Sequence, residues 1–245
     1  MSIISDLKDS ALSAFFPRRC PLCGAVLMPN QRICAVCSDN VVYISPPVCR
    51  HCGRPLYSCT CYREEFSFER CVSPFVYTKS IRRGIHRLKF NRGVSSASFF
   101  ASFTAATVRR EYKNYAIDII ASVPMHSSDM HRRGYNQAAL LANHIGELMQ
   151  LPVSNNILAK PKKNNLQHSL PRSDRRENVR GVFRVARPDK VRGRTVLLCD
   201  DIITTGATLD ECAAMLLEAG AARVLCVTAA AVVGDAQNNI KKTYV

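Results

Sequence analysis

The stretch that most constrains this chain runs from Thr195 to Leu209 and reads TVLLCDDIITTGATL. Strand-forming residues from Thr195 to Cys199 meet two consecutive carboxylates, then a small hydroxyl-rich turn, then a helical pattern. Beyond Leu209, apolar residues recur at Cys212, Ala213, Leu216 and Leu217, and Gly220 supplies a stop. Val224 to Val227 reads as a second strand. A strand, a helix and a strand in that order form a right-handed βαβ unit in a parallel sheet.

The residue types of the turn suggest what it holds. Thr204, Thr205, Gly206, Ala207 and Thr208 present successive backbone N–H groups and three hydroxyls at a helix N-terminus, where the dipole favours an anion. A monophosphate suits that setting. Asp200 and Asp201 can accept hydrogen bonds from a sugar diol beside it. Phosphate on one side and ribose hydroxyls on the other describe a phosphoribosyl group. Either half alone reads equally well as a solvated strand end or a plain turn; their order along the chain points to a binding loop.

The chain has 245 residues, enough for one substantial α/β domain and a small appendage. Lys and Arg number 34 against 19 acids, a formal charge of +15, which points to polyanionic partners. No stretch reaches the ~18 uninterrupted apolar residues of a membrane span. Val94 to Val108 is broken by Ser and Thr, and Leu225 to Val233 is too short. Asp6, Lys8 and Asp9 stand where a signal peptide places its apolar core. We therefore expect a cytoplasmic chain that is not an integral membrane protein, with its 12 cysteines reduced or metal-bound. Within residues 1–19, Ile4, Leu7, Leu12 and Phe15 fit one side of a short docking helix.

Residues 20–71 form a cysteine-rich module. Cys20/Cys23, Cys34/Cys37 and Cys49/Cys52 are C-x2-C knuckles, a spacing that brings two thiolates from one turn to the same tetrahedral Zn2+. Gly24 and Gly53 follow a knuckle directly. Few large apolar residues lie here, so metal binding has to supply folding free energy. Pairing by proximity gives one structural site from Cys20, Cys23, Cys34 and Cys37, and a second from Cys49, Cys52, Cys59 and Cys61. Cys59 and Cys61 are separated by a single residue, and Cys71 is close enough to replace one of them.

A change to charged and aromatic residues between Tyr62 and Val72 marks the boundary with residues 72–245. Pro74 to Thr78 fits an edge strand. From Ser80 to Phe90, Ile81, Ile85 and Leu88 keep helical spacing while Arg82, Arg83, Arg87 and Lys89 fill the other positions. A solvated face and a nucleic-acid face both account for that basic helix. Val94 to Arg110 reads as a buried helix with Phe99, Phe100 and Phe103 in the core. Ala116 to Val123 reads as a strand, and the loop after it carries Arg132, Arg133, Gly134, Asn136 and Gln137, donors suited to a pyrophosphate. His126 and His131 read as surface residues. Ala138, Leu141, Ile145 and Leu148 then share a helix face. From Lys160 to Arg194 there are twelve Lys or Arg against three acids. Lys162 to Arg180 is too long for an ordinary connection. Lys162 and Lys163 suit a phosphodiester backbone, Arg175 and Arg176 a leaving pyrophosphate, and one flexible stretch serves either use.

The Thr195–Leu209 stretch resembles the phosphoribosyl pyrophosphate (PRPP) motif of type I phosphoribosyltransferases. With the cysteine knuckles, VPMHSSDMHRRGYNQAALLA and LQHSLPRSDRRENVRGVF, the whole chain resembles the ComF-type competence proteins, a zinc ribbon joined to a phosphoribosyltransferase domain. The resemblance implies a parallel sheet flanked by helices, with Asp200 and Asp201 on the ribose hydroxyls and Thr204 to Thr208 on the 5-phosphate. It implies Mg2+ entering with PRPP, and a lid that closes over the ligand. It also implies handling of single-stranded DNA during uptake, on the cytoplasmic side of the inner membrane, with a helicase-like competence protein and a DNA channel as partners. Two functions remain open at this point. One is a DNA-binding competence protein with a PRPP pocket; the other is a metabolic phosphoribosyltransferase acting on a base or another acceptor.

Overall fold

A computed structural model describes residues 17–59, 61, 65–90, 94–162 and 179–234. The expected N-terminal helix, the boundary residues Tyr62 to Glu64, and Lys163, Arg175 and Arg176 lie wholly or largely outside them.

The two central strands carry the strongest apolar runs in the sequence. In order, the elements are α1 (Ala35–Ser38), β1 (Arg70–Val72), β2 (Phe75–Val76), α2 (Lys79–Phe90), α3 (Val94–Glu111), β3 (Ile119–Ser122), α4 (Ser127–Arg133), α5 (Gln137–Met149), β4 (Leu158–Ala159), β5 (Arg184–Val185), β6 (Thr195–Ile203), α6 (Ala207–Glu218) and β7 (Arg223–Ala231). The sheet runs β1-β7-β6-β3, with β2 also on β7, and every pairing in it is parallel. β4 and β5 form a separate antiparallel ribbon at the two ends of the basic segment.

A parallel sheet buried on both faces reads as a continuous apolar run, and β6 and β7 do so. Leu197, Cys199, Leu225 and Val227 face a core shared with Ile81 and Ile85 of α2, Phe100 of α3 and Leu141 and Ile145 of α5. Val196, Leu198, Val224 and Cys226 face the opposite core, shared with Leu209, Cys212 and Leu216 of α6 and with Phe183. β6 is longer than its aliphatic run. It continues through both aspartates to Ile203, where Asp200, Ile202 and Ile203 keep register with Thr228, Ala230 and Ala231 of β7.

The cysteine-rich residues are built into this body. Cys20, Leu22, Leu27 and Cys37 belong to the same core as Phe75 and Ile81. Gly84 of α2 allows that approach, since a Cβ there would lie 2.5 Å from Leu22 Cδ2. The Ser96 hydroxyl on α3 donates to the Pro21 carbonyl at 2.7 Å. Among the described residues no helix is long and apolar enough to cross a membrane.

Candidate functional site

Two loops meet at one end of the sheet. β3 and β6 are adjacent and parallel, so the loop after Ser122 and the loop after Ile203 emerge side by side, at the carboxyl ends where open α/β sheets bind ligands. Gly206 opens α6 with φ +93, a conformation that costs an L side chain strain, and the Ala207 N–H donates to Thr205 Oγ1 at 3.3 Å. Asp200, Thr204, Gly206, Ala207 and Thr208 line a single small cleft. The acid that ends the strand and the turn that starts the helix therefore share one mouth.

The acids have different surroundings. Burial, and then the negative charge of Asp201, push the Asp200 carboxyl up to about 7, although its Oδ1 accepts the Asp201 N–H at 2.8 Å. Asp201 pairs with Lys89 Nζ at 2.8 Å. Burial works against the Lys89 charge, but Asp201 and then Asp200 outweigh it and hold its pKa above the ordinary lysine value. Burial pulls the pKa of Lys160 down despite the pull of Asp129 and Asp200, and its Nζ lies 5.4 Å from the centre of the Phe183 ring.

The basic helix divides its work. Arg82 and Arg83 are exposed, as a nucleic-acid surface requires. Arg87 packs against the turn after the first knuckle, where a Cβ on Gly24 would come within 2.6 Å of Arg87 Nη1. Lys89, read from sequence as part of the same face, turns instead to the acid pair. Its three helix companions gave no sign of this.

In the loop after β3, Arg132 is exposed and pairs with Asp129 at 2.8 Å, while Arg133 Nη1 donates to Gln137 Oε1 at 3.0 Å. Asn136 caps α5 by accepting the Ala138 N–H at 3.0 Å and donates to the Val123 carbonyl at 2.9 Å. The Gln137 side chain is buried, so these amides shape the loop. The Tyr135 hydroxyl donates to the Leu88 carbonyl, tying this loop to the end of α2 that carries Lys89. His131 is exposed and His126 partly so; Nδ1 of His126 accepts the Ser128 N–H at 3.2 Å to cap α4. Lys162 is exposed at the edge of the basic segment.

The cysteines gather as two sets of four, Cys20/Cys23/Cys34/Cys37 and Cys49/Cys52/Cys59/Cys61, with the sulfurs in each set within 4.8 Å of one another. Tetrahedral Zn–S bonds of about 2.3 Å place sulfurs about 3.8 Å apart. The approaches Cys23–Cys34 at 3.6 Å, Cys52–Cys59 at 3.6 Å and Cys49–Cys61 at 3.5 Å fit that geometry. Burial opposes ionisation of Cys20 and Cys49, yet surrounding backbone N–H groups bring both down to about 7, while burial and the neighbouring thiols push Cys37 and Cys61 up. Cys71 is not in either set; its thiol faces the Val72 carbonyl and burial raises its pKa. The short Cys59/Cys61 pair therefore completes the second site.

A sheet of this topology with an acid pair and a glycine turn after its central strand defines a phosphoribosyltransferase-type domain, here joined to paired zinc ribbons. The sequence matches the double zinc ribbon domain over residues 11–72 and the phosphoribosyl transferase domain over residues 131–244. It is 31% identical over 216 residues to Competence protein F of Haemophilus influenzae, covering 84% of this chain and 93% of that one. It is 30% identical over 217 residues to DNA utilization protein YhgH of Escherichia coli, covering 85% and 94%. It is 26% identical over 207 residues to Competence protein ComFC of Bacillus subtilis, covering 80% and 82%. The chain belongs to the ComF-type competence protein family.

Proposed function

We propose that this chain binds single-stranded DNA and assists uptake of transforming DNA on the cytoplasmic side of the inner membrane, and that it carries a pocket for PRPP. The observation that carries the pocket is the shared cleft of Asp200 and the Thr204–Thr208 turn. In this reading the turn and the α6 N-terminus take the 5-phosphate, and Asp200 and Asp201 hold the ribose hydroxyls. Lys89, paired with Asp201, and Arg133, whose charge acts on Lys89, are near enough to each other to suit a pyrophosphate. Arg132, Arg175 and Arg176 are the further candidates for that group. Mg2+ prefers oxygen donors and is held by one or two carboxylates plus ligand phosphates, so Asp200 and Asp201 fit it; bound there, it neutralises phosphate charge.

The DNA reading rests on charge and on a second, larger cleft between the first ribbon and α3. Arg18, Arg19 and Arg32 line it with Ser95, Ser98 and Ser102, and no acid is among its described lining residues. Arg82, Arg83, Lys162 and Lys163 would extend the basic surface. The names of the relatives, competence and DNA utilization proteins, agree with this reading. A helicase-like protein and a membrane DNA channel are the partners it calls for.

Calorimetry of PRPP and of a single-stranded oligonucleotide against wild type and an Asp200→Ala, Asp201→Ala variant tests it. The expected result is PRPP binding lost and DNA binding kept, with DNA affinity falling steeply as salt rises. DNA affinity flat from low to moderate salt would remove the DNA reading. The second reading is a metabolic phosphoribosyltransferase that uses the same cleft to transfer ribose 5-phosphate from PRPP to a base or another acceptor. Pyrophosphate release in a screen of bases and other acceptors would establish that reading.

A further inference from the structure

The second zinc ribbon grips the phosphate loop at three places. Arg54 stands two residues beyond the ligand Cys52 and only 4% of it is exposed. Its Nε donates to the Val232 carbonyl at 2.7 Å and its Nη2 donates to the Thr204 carbonyl. The Phe66 ring lies against Gly206, where a Cβ would come within 2.9 Å of it. The Ser67 N–H donates to Asp210 Oδ1 in the first turn of α6 at 2.6 Å. The start and middle of the anion turn, and the first turn of the helix that follows it, are therefore held by residues that flank the Cys49–Cys61 site.

Arg54 is itself held by that site. The Arg54 carbonyl accepts the Cys49 N–H at 2.8 Å, and Val48 and Pro55 form an antiparallel bridge around the knuckle. Gly53, at φ +68, passes so close to β1 that a Cβ would lie 2.3 Å from the Cys71 carbonyl oxygen. The knuckle, the arginine and the sheet edge have no slack between them.

The geometry has a direct effect on the ligand site. In a trans peptide the N–H points opposite to the carbonyl. Fixing the Thr204 carbonyl towards Arg54 fixes the Thr205 N–H away from the ribbon. A buried guanidinium with charge-assisted bonds to two carbonyls holds more firmly than neutral donors do. We propose that Arg54 is a positioning residue for the phosphate turn, and that the Cys49/Cys52/Cys59/Cys61 metal site, by fixing Arg54, sets the affinity of the turn for a sugar phosphate. This rests on the PRPP reading of the cleft.

The test uses the full zinc-loaded chain, with metal content measured for every variant. Calorimetry with PRPP is expected to show at least a tenfold loss for Arg54→Gln and a smaller loss for Arg54→Lys, which can reach one carbonyl but not two. Cys59→Ser, which weakens the second site alone, is expected to lose PRPP affinity as well. Leu22→Ala, a destabilising change in the first ribbon, is expected to keep it. Amide hydrogen exchange in ligand-free protein is expected to quicken at Thr205 to Thr208 in Arg54→Gln and not in Leu22→Ala. PRPP affinity within twofold of wild type in Arg54→Gln, or equal loss in Cys59→Ser and Leu22→Ala, would overturn the proposal. Should Arg54→Gln fail to fold, the Cys59→Ser and Leu22→Ala pair decides. A wild type that binds no PRPP defeats the pocket reading; the exchange measurement still decides whether Arg54 positions the turn.

Discussion

Replacing Asp200 by Asn should make the protein more stable at alkaline pH and much less so in mild acid. In the folded chain, burial and then the Asp201 charge lift the Asp200 pKa from 3.8 to about 7, so the native state disfavours the ionised form. The unfolded chain therefore releases this proton at lower pH than the folded chain does. Stability falls as pH rises from about 4 to 7 and the cost is complete above 7. The full span corresponds to about 4 kcal/mol. Asp200 is partly exposed, and solvent screening reduces what is expressed to ~1–2 kcal/mol. Asn keeps the shape and removes the charge. Urea melts of wild type and Asp200→Asn at pH 5 and pH 8.5 measure the gap, and comparing the two proteins at each pH cancels the acid sensitivity of the zinc sites. The variant should gain ~1–2 kcal/mol at pH 8.5, or ~2–8 °C in Tm for a chain of this size, and clearly less at pH 5. A gap of equal size at both pH values, or a variant less stable at pH 8.5, would refute the assignment of a near-neutral acid to Asp200.

Two other outcomes follow from the same geometry. Lys89→Gln leaves two half-buried acids without their cation, so stability at pH 8 should drop by ~1–3 kcal/mol; a loss under ~0.5 kcal/mol in urea melts would mean solvent screens the pair. Removing zinc with a chelator should release two metal ions per chain and lower the melting temperature of the whole domain, because Cys20 and Cys37 share a core with Phe75 and Ile81. Calorimetric melting of the sheet unchanged after metal release would show that the ribbons fold apart from it.

The sequence made β6, the anion turn and α6 legible because each has a local signature: an apolar run, a glycine among hydroxyl residues and a helical apolar repeat. The first zinc set was legible for the same reason, since C-x2-C is a local spacing; the second had one such pair, and only the fold separates Cys59 and Cys61 from Cys71. Asp200 to Ile203 looked like loop because polar residues interrupt the apolar run, yet pairing with Thr228 to Ala231 keeps them in the sheet. The pairing of Lys89 with Asp201 had no signal in the sequence. Helical periodicity shows which residues leave the core, but not which of them a neighbouring strand end attracts. Lys160 was read only as one charge in a basic segment, and its place beside Asp200 follows from a ribbon whose second strand begins at Arg184. Arg54 had no signal at all. Its partners are 150 and 178 residues away, and no local pattern encodes such a pairing.

That separation bears on how the chain is made. Among the described residues the first strand of the sheet, Arg70–Val72, has its strand partner in Arg223–Ala231, so that pairing waits until the chain from Val72 to Arg223 has been made. Contacts this distant in sequence form slowly. The cysteine turns need only their own neighbourhood and a metal ion, so they can set early in synthesis. The nascent protein would then carry a finished jig, with Arg54 already mounted, onto which the late-emerging turn at Thr204 is fitted.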